Sequence, residues 1–294
     1  MDHSDPNGQS GQSDQNPAAI LARPRVRPRV IATDLDGTLL RSDGSVSERT
    51  RAALAAGSAA GWEVVIVTAR PHRTVVDLAR RLGCATTAIC ANGASVLHVA
   101  DGEVDVVHSF SVEQALGIVA SLRPLLPPET GFALETGDEV FREPNFRPGL
   151  VSGNGSVPTE DLSGVRPAGG RFVKVLARCE SVAADEMLRA ARPVLDGVAE
   201  PSHSGGRGLL EIGPPGATKA GTLSWHCARL GFDATHVVAF GDMPNDLPML
   251  TWAGTAYAVA NAHPDVLATV DRVTASNDED GVAVAVEALL DFER

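Results

Sequence analysis

From Arg29 to the end of the chain, short continuous apolar runs alternate with longer stretches whose apolar residues recur at helical spacing. Residues 30–33 (VIAT) predict a short strand buried on both faces, as in a parallel sheet. Ser47 is placed to cap a helix that carries Leu54 on its apolar side, with Gly57 and Gly61 marking its end. WEVVIVTAR at 62–70 predicts a second buried strand. RTVVDLARRLG reads as a helix stopped by Gly83, and TTAICANGA at 86–94 as a third strand followed by an Asn-Gly turn. A hairpin is expected around Asp101-Gly102.

The texture changes between about Asp105 and Arg207. Pro and Gly become frequent, and strands come in pairs. FALETGDEVFRE reads as strand, Gly-Asp turn, strand; RFVKVLARC is a further strand and SVAADEMLRAARPVL an amphipathic helix. Beyond it the alternation returns: TKAGTLSWHCARLG as helix, THVVAFGD as strand, then LPMLTWAG, AYAVANA and GVAVAVEALLDF as helix, strand and helix. The expected architecture is therefore an α/β core at 29–104 and 208–294, Rossmann-like in three layers around a parallel sheet. An α+β unit with an antiparallel sheet is inserted at 105–207. Residues 1–28 are expected to form a disordered tail, because the first 17 are rich in Ser, Gln, Asn, Asp and Gly without apolar period. RPRVRPR at 23–29 reads as a solvated lead-in to the first strand.

With 294 residues, 44% of them hydrophobic, the chain can bury a real core. Its formal charge of −12 argues against a nucleic-acid partner bound through phosphates, and a phosphate ligand would need a locally basic site. Cys84, Cys90, Cys179 and Cys227 form no C-x-x-C pair, so neither a zinc site nor a redox motif is expected. Reduced thiols, no apolar run near the roughly 18 residues of a membrane span and no signal-peptide core lead to the expectation of a cytoplasmic protein. No membrane partner is expected, and the chain should be a monomer or weak homodimer.

Two carboxylates close the first strand, in Asp34-x-Asp36. Thr68 follows the second strand, Lys219 opens a helix, and GDMPND supplies Asp242, Asn245 and Asp246 after another strand. Open parallel sheets bind ligands outside the carboxyl ends of their strands, and three of the four motifs fall there. The residue types suit phosphoryl chemistry. A phosphate dianion repels a carboxylate by several kcal/mol, an order-of-magnitude figure at an intermediate dielectric. Mg²⁺ on Asp34 and Asp242 would offset that, with Lys219 neutralising phosphoryl oxygens and the Thr68 hydroxyl donating to them. One carboxylate could then attack phosphorus while the other handles protons.

DLDGTLL, VTAR, ATKAG and GDMPNDLPML together, in this order and spacing, resemble the haloacid dehalogenase superfamily of aspartyl-phosphate phosphatases. The resemblance runs from about Arg29 to the C-terminus. Roughly 150 residues lie between Thr68 and Lys219, where the Cof-type (IIB) branch carries a large α/β cap. Asn92-Gly93-Ala94, LLEIGPPGATKAG, AVANA and SNDEDGVA are similar to the same branch. The resemblance implies Asp34 as nucleophile and Asp36 as general acid/base. It implies Mg²⁺ on Asp34, the Asp36 carbonyl, Asp242 and Asp246, and phosphate on Thr68, Lys219 and Asn245. Arg70 and Asn92 are candidates to meet the substrate. The second motif departs from the usual Thr-Gly-Arg: here it is Thr68-Ala69-Arg70, and Ala takes positive φ at a cost. Pro248 fits the first turn of a helix starting near Asn245 or Asp246.

The implied activity is Mg²⁺-dependent hydrolysis of a small phosphorylated metabolite. The alternatives are a phosphomutase of the same fold or a non-catalytic phosphometabolite-binding regulator. An EF-hand reading of Asp34 and Asp36 fails because Leu39 and Ser45 stand where Gly and Glu are needed. A P-loop reading of GPPGATKAG fails because Ala220 follows Lys219 where Ser or Thr is required, and no strand is expected to end at Gly213. A phospho-receiver would leave the insertion unexplained. Arg142, Arg147, Arg171, Lys174 and Arg207 of the insertion are candidate contacts for an anionic substrate.

Overall fold

The apolar run at 30–33 forms β1 (Val30–Thr33), every residue of which is buried. β2 (Glu63–Val67) and β3 (Thr87–Cys90) follow it, and β4 (Ser95–His98) and β5 (Val104–Val106) form the hairpin expected at Asp101-Gly102. A computed structural model of the chain describes residues 26–147, 155–205 and 208–292. Up to residue 25 the expected tail lies outside the described residues. Pro28 is already buried, and the Arg29 N–H donates to the His236 carbonyl at 2.8 Å.

The next strands are β6 (Phe110–Ser111), β7 (Gly131–Glu135), β8 (Val140–Arg142), β9 (Ser156–Pro158), β10 (Arg171–Phe172), β11 (Lys174–Arg178), β12 (Glu200–Ser202) and β13 (Leu209–Gly213). β14 (Val237–Gly241) and β15 (Thr255–Ala258) complete the described set. The first sheet has the order β15-β14-β1-β2-β3-β4-β5, parallel from β15 to β3 and antiparallel at the β4 and β5 edge. Ile31, Val64 and Ile66 point to one face, against Leu54 and Val286 of helices Glu48–Ala59 and Gly281–Asp291. Val30, Ala32 and Val65 point to the other, against Leu223 and Cys227 of helix Lys219–Arg229. A sheet with helices on both faces needs the continuous apolar runs that the sequence carries.

The second sheet has the order β12-β13-β11-β7-β8-β9 and is antiparallel except for the β8–β9 pair. Helices Val112–Leu122 and Ala184–Leu195 cover one of its faces, where Phe132, Leu134, Val175 and Ile212 meet Ile118 and Leu188. The opposite face turns toward the first sheet. It carries a small apolar cluster of Ala133, Val140, Phe146, Leu176 and Leu209, together with the buried charges Glu135, Lys174 and Glu211.

Strand pairing moves both expected edges of the insertion. β5 keeps residues to Val106 in the first sheet, two residues past the expected 104. β13 belongs to the second sheet, between β12 and β11, although 208 was expected to begin the core again. An apolar LLEIG run suits the middle of either sheet, so its sequence did not assign it. β13 also runs up to Gly213, so the P-loop reading is excluded by the missing Ser/Thr after Lys219 and not by any lack of a strand. RFVKVLARC is divided: Arg171–Phe172 pairs with Phe110–Ser111, and the run resumes at Lys174. Gly57 does not end its helix. It lies inside it, where an added Cβ would come within 3.0 Å of Ile31 Cδ1. Gly61, at φ +84°, follows the helix end. Among the described residues, no helix is long and apolar enough to cross a membrane.

Candidate active site

β14, β1 and β2 are neighbours at the centre of the first sheet, so their carboxyl ends bring Asp242, Asp34 and Thr68 to one place. Past β1 the Asp34 N–H still donates to the Phe240 carbonyl at 3.0 Å, while its side chain turns inward. Leu35, Leu39 and Leu40 are buried and anchor the loop from below, and the Leu40 N–H closes it on the Leu35 carbonyl at 2.8 Å. The two acids one residue apart thus separate: Asp34 is 8% exposed at its side chain and Asp36 is 49% exposed.

Lys219 is the first residue of its helix, which Thr218 caps by accepting from the Gly221 N–H at 3.0 Å. Its buried ammonium donates to Asp34 Oδ1 and to Asp246 Oδ1, both at 2.6 Å. Asp246 Oδ2 accepts from the N–H groups of Asp242 and Met243, each at 3.0 Å. Asp246 thereby holds both the lysine and the loop. Pro244–Asp246 forms a 3₁₀ turn that runs into helix Leu247–Trp252 with Pro248 in its first turn, as expected for that residue. Asp242 Oδ1 accepts from Thr38 Oγ1 at 2.7 Å. Gly37, at φ +80°, passes so close that a Cβ there would lie 2.5 Å from Asp242 Oδ2. The Gly37 carbonyl accepts from Asn261 Nδ2 at 2.8 Å.

Burial pushes the Asp34 carboxyl well above its ordinary value. The Lys219 ammonium opposes that rise, and the Asp246 and Asp242 carboxylates add to it. Burial, followed by the Asp246 carboxylate, likewise raises Asp242 to about 7, against the lowering effect of the Thr38 hydroxyl. Burial alone would lower Lys219, but Asp246 and Asp34 outweigh it and hold the ammonium above its ordinary value. Asp34, Asp242 and Asp246 each offer an oxygen within 4.8 Å of the others, and all three are buried. A cluster of carboxylates short of positive charge, with no nitrogen or sulfur donor in it, fits a hard divalent cation such as Mg²⁺.

The Thr68 N–H donates to the Ile89 carbonyl at 2.8 Å, and Thr68 Oγ1 accepts from the Arg70 N–H at 3.1 Å. Ala69 is not among the described residues with positive φ. The left-handed backbone occurs instead at Ala91, Asn92 and Gly93, at φ +52°, +57° and +105°. Hydrogen bonds from the Ala91 N–H to the Arg70 carbonyl (2.9 Å) and from the Asn92 N–H to the Thr68 carbonyl (3.0 Å) hold this turn against the second motif. Asn92 Oδ1 accepts from Asn245 Nδ2 at 3.1 Å, and its Nδ2 faces Ser202 and Glu211 of the insertion. Arg70 makes a two-pronged pair with Asp36. Its guanidinium is engaged by that acid. A cavity of about 630 Å³ adjoins Lys219, Asn92 and Asn245, with Ser202, Glu200 and Arg192 of the insertion on its other wall.

The candidate cations of the insertion fare differently. Arg147 is exposed and pairs with Glu180 at 3.3 Å, Arg171 is exposed, and Arg142 donates to Ser156 Oγ at 2.8 Å. Arg207 lies outside the described residues. Lys174 is buried, with its ammonium on Glu211 at 2.6 Å and the Ala69 carbonyl at 2.5 Å, so it presents no free charge to an anion. Sequence reasoning missed Thr38, Asn261 and Glu211. Thr38 stood inside the first motif, but its partner is 204 residues away.

A family description of haloacid dehalogenase-like hydrolases matches residues 31–286. The chain is 30% identical over 284 residues to the 5-amino-6-(5-phospho-D-ribitylamino)uracil phosphatase YitU of Bacillus subtilis strain 168, covering 87% of this chain and 96% of that one. It is 29% identical over 276 residues to the pyridoxal phosphate phosphatase YbhA of Escherichia coli K12, with 87% and 96% covered. The solved structure of a haloacid dehalogenase-like hydrolase from B. subtilis superposes with a TM-score of 0.76 at 25% identity, over 88% of this chain and 99% of that one. Motif, fold and relatives agree: the chain belongs to the haloacid dehalogenase-like hydrolases, as a phosphatase of their Cof-type branch.

Proposed function

We propose that this phosphatase is Mg²⁺-dependent and hydrolyses a small phosphorylated metabolite by way of a phosphoryl group carried on Asp34. The observation that carries the reading is the buried Asp34 carboxylate at 2.6 Å from Lys219, with Asp242 beside it and Asp36 on the solvent side. An Asp34 oxygen attacks phosphorus, and the ester oxygen leaves with a proton from Asp36. Asp36 then takes a proton from the water that attacks the phosphoryl group and frees Asp34. Lys219 gives its charge to the phosphoryl oxygens, and Thr68 and Asn245 hydrogen-bond them. Asp34 and Asp242, with the Asp36 carbonyl, would hold Mg²⁺, which offsets the repulsion between nucleophile and phosphate. We assign Asp246 to fixing Lys219 and the Asp242 loop, and Arg70 to fixing Asp36. The insertion, taken as a cap over this site, supplies the wall that meets the leaving group.

The test is phosphate release from a panel of phosphorylated metabolites, with p-nitrophenyl phosphate as a small artificial ester. The substrates named for YitU and YbhA belong at the head of the panel. Release should require Mg²⁺, vanish in EDTA, and fall at least about a thousandfold in Asp34→Asn, which keeps shape and loses the attacking charge. Full activity in chelator, or in Asp34→Asn, would overturn the reading.

A further inference from the structure

The second sheet places a charge pair where an apolar core would be expected. Lys174 and Glu211 are 2% and 4% exposed at their side chains, beside Leu176 and Leu209. A buried pair of this kind contributes little to stability relative to apolar residues of the same size. Its contacts point elsewhere. The Lys174 ammonium bridges from Glu211 to the Ala69 carbonyl, in the middle of the second motif. On one side of Ala69 stands Thr68, and on the other Arg70, which grips Asp36. Glu211 Oε2 also faces the Asn92 amide at 3.4 Å, and Glu211 Oε1 accepts from Ser204 Oγ at 2.5 Å. Asn92 in turn holds the Thr68 carbonyl through its N–H and accepts from Asn245. One chain of hydrogen bonds therefore runs from the inserted sheet to the second motif, and through Asn92 to the fourth.

We propose that Lys174 and Glu211 are positioning residues for the phosphoryl-transfer reaction: their pair fixes the Ala69 and Asn92 backbone turns, and so the places of Thr68, Arg70 and Asp36. This rests on the phosphatase reading above. It makes the insertion part of the machinery common to every substrate, in addition to any role in choosing among them. An incoming substrate anion meets a lysine already neutralised by Glu211, so the pair acts through the loop and not on the leaving group.

The experiment uses the full chain with Mg²⁺. Wild-type hydrolysis of p-nitrophenyl phosphate, abolished in Asp34→Asn, first establishes the phosphatase reading independently. Lys174→Met/Glu211→Leu then replaces the pair with apolar residues of similar size. The thermal midpoint should stay close to wild type. The kcat should fall roughly ten- to a hundredfold, by a similar factor on p-nitrophenyl phosphate and on the preferred metabolite, because the misplaced groups touch the phosphoryl group and the departing oxygen. KM should change much less than kcat. Lys174→Gln/Glu211→Gln, which keeps hydrogen-bonding side chains at both positions but removes both charges together, should lower kcat in the same pattern and serves if the apolar double variant does not fold. Unchanged kcat in a folded variant would make the pair merely structural and overturn the proposal. So would a loss confined to the metabolite, since that would make the pair a leaving-group contact.

Discussion

Asp34 and Asp36 coexist because the chain sends them to different surroundings. Leu35 between them is buried and pins the backbone, so one acid faces the lysine and the other faces solvent and Arg70. The remaining repulsion lies among Asp34, Asp242 and Asp246, which Lys219 only partly offsets. Asp242 has a raised folded value, so its contribution to stability is present below its ordinary value and is lost as pH rises through about 7. In chelator, Asp242→Asn should therefore gain thermal stability over wild type as pH goes from about 5 to about 8. Saturating Mg²⁺ should abolish or reverse that gain, because the cation removes the repulsion; a gap independent of pH and of Mg²⁺ would contradict the assignment. Thr38 orients the same carboxylate. On the Mg²⁺ reading proposed above, Thr38→Val should raise the Mg²⁺ concentration for half-maximal activity by about tenfold, the effect of losing a hydrogen bond to a metal-holding carboxylate, with kcat at saturating Mg²⁺ reduced far less. Asp34, Lys219 and Asp242 were legible in the sequence because each sits in a motif of its own. The Asn261 contact was not, because a hydrogen bond across 224 residues leaves no local pattern.

At the scale of elements, the helix that presents Lys219 is seated against a turn from the other half of the core. Thr222 Oγ1 donates to the Gly93 carbonyl at 2.7 Å, and a Cβ on Gly93 would come within 2.4 Å of the Thr218 carbonyl. With φ at +105°, Gly93 is held by conformation as well as by space. Gly93→Ala should cost about 1–3 kcal/mol in urea unfolding through overpacking. It should also lower kcat on every substrate, since it displaces the helix start that carries the lysine; activity at the wild-type level would show that the helix tolerates the shift. The strands and helices of the core were legible as whole elements, because a parallel sheet demands unbroken apolar runs. β13 was not assigned to its sheet, because LLEIG would be buried in either one, and only its partners β11 and β12 decide. Gly57 was misread as a stop for a related reason: a glycine that makes room for Ile31 looks the same in sequence as one that ends a helix.

Taken whole, the open face of the insertion's large sheet meets the loop after β2 of the first sheet through charges. Besides Lys174 on Ala69, the β7–β8 turn is docked onto the segment after the second motif. Arg73 pairs with the fully buried Glu135 at 2.8 Å and donates to the Gly137 carbonyl at 2.7 Å, and His72 Nε2 meets Asp138 at 3.0 Å. Arg73→Met would leave Glu135 buried without its counter-charge, a loss of about 3–5 kcal/mol when one partner of a buried pair is removed. Denaturant unfolding should show that loss, and amide exchange of residues 131–142 should speed up more than that of β1 and β2. Equal exchange in both regions would mean that the contact does not hold the insertion in place. None of these contacts could be read from sequence: Arg73 and Glu135 lie 62 positions apart, in elements whose pairing depends on how the two sheets meet.

The connections between the sheets are short. β5 ends at Val106 and β6 begins at Phe110, while β13 ends at Gly213 and the next helix begins at Lys219, past Pro214 and Pro215. A body tied at two nearby points can swing only about a line through them. Here that line passes beside Lys219, so the reacting end of the insertion lies close to its axle and the remote end describes the wide arc. Any rotation about that line has first to break the Lys174–Ala69 and Arg73–Glu135 contacts, and the proline pair keeps the axle from slackening.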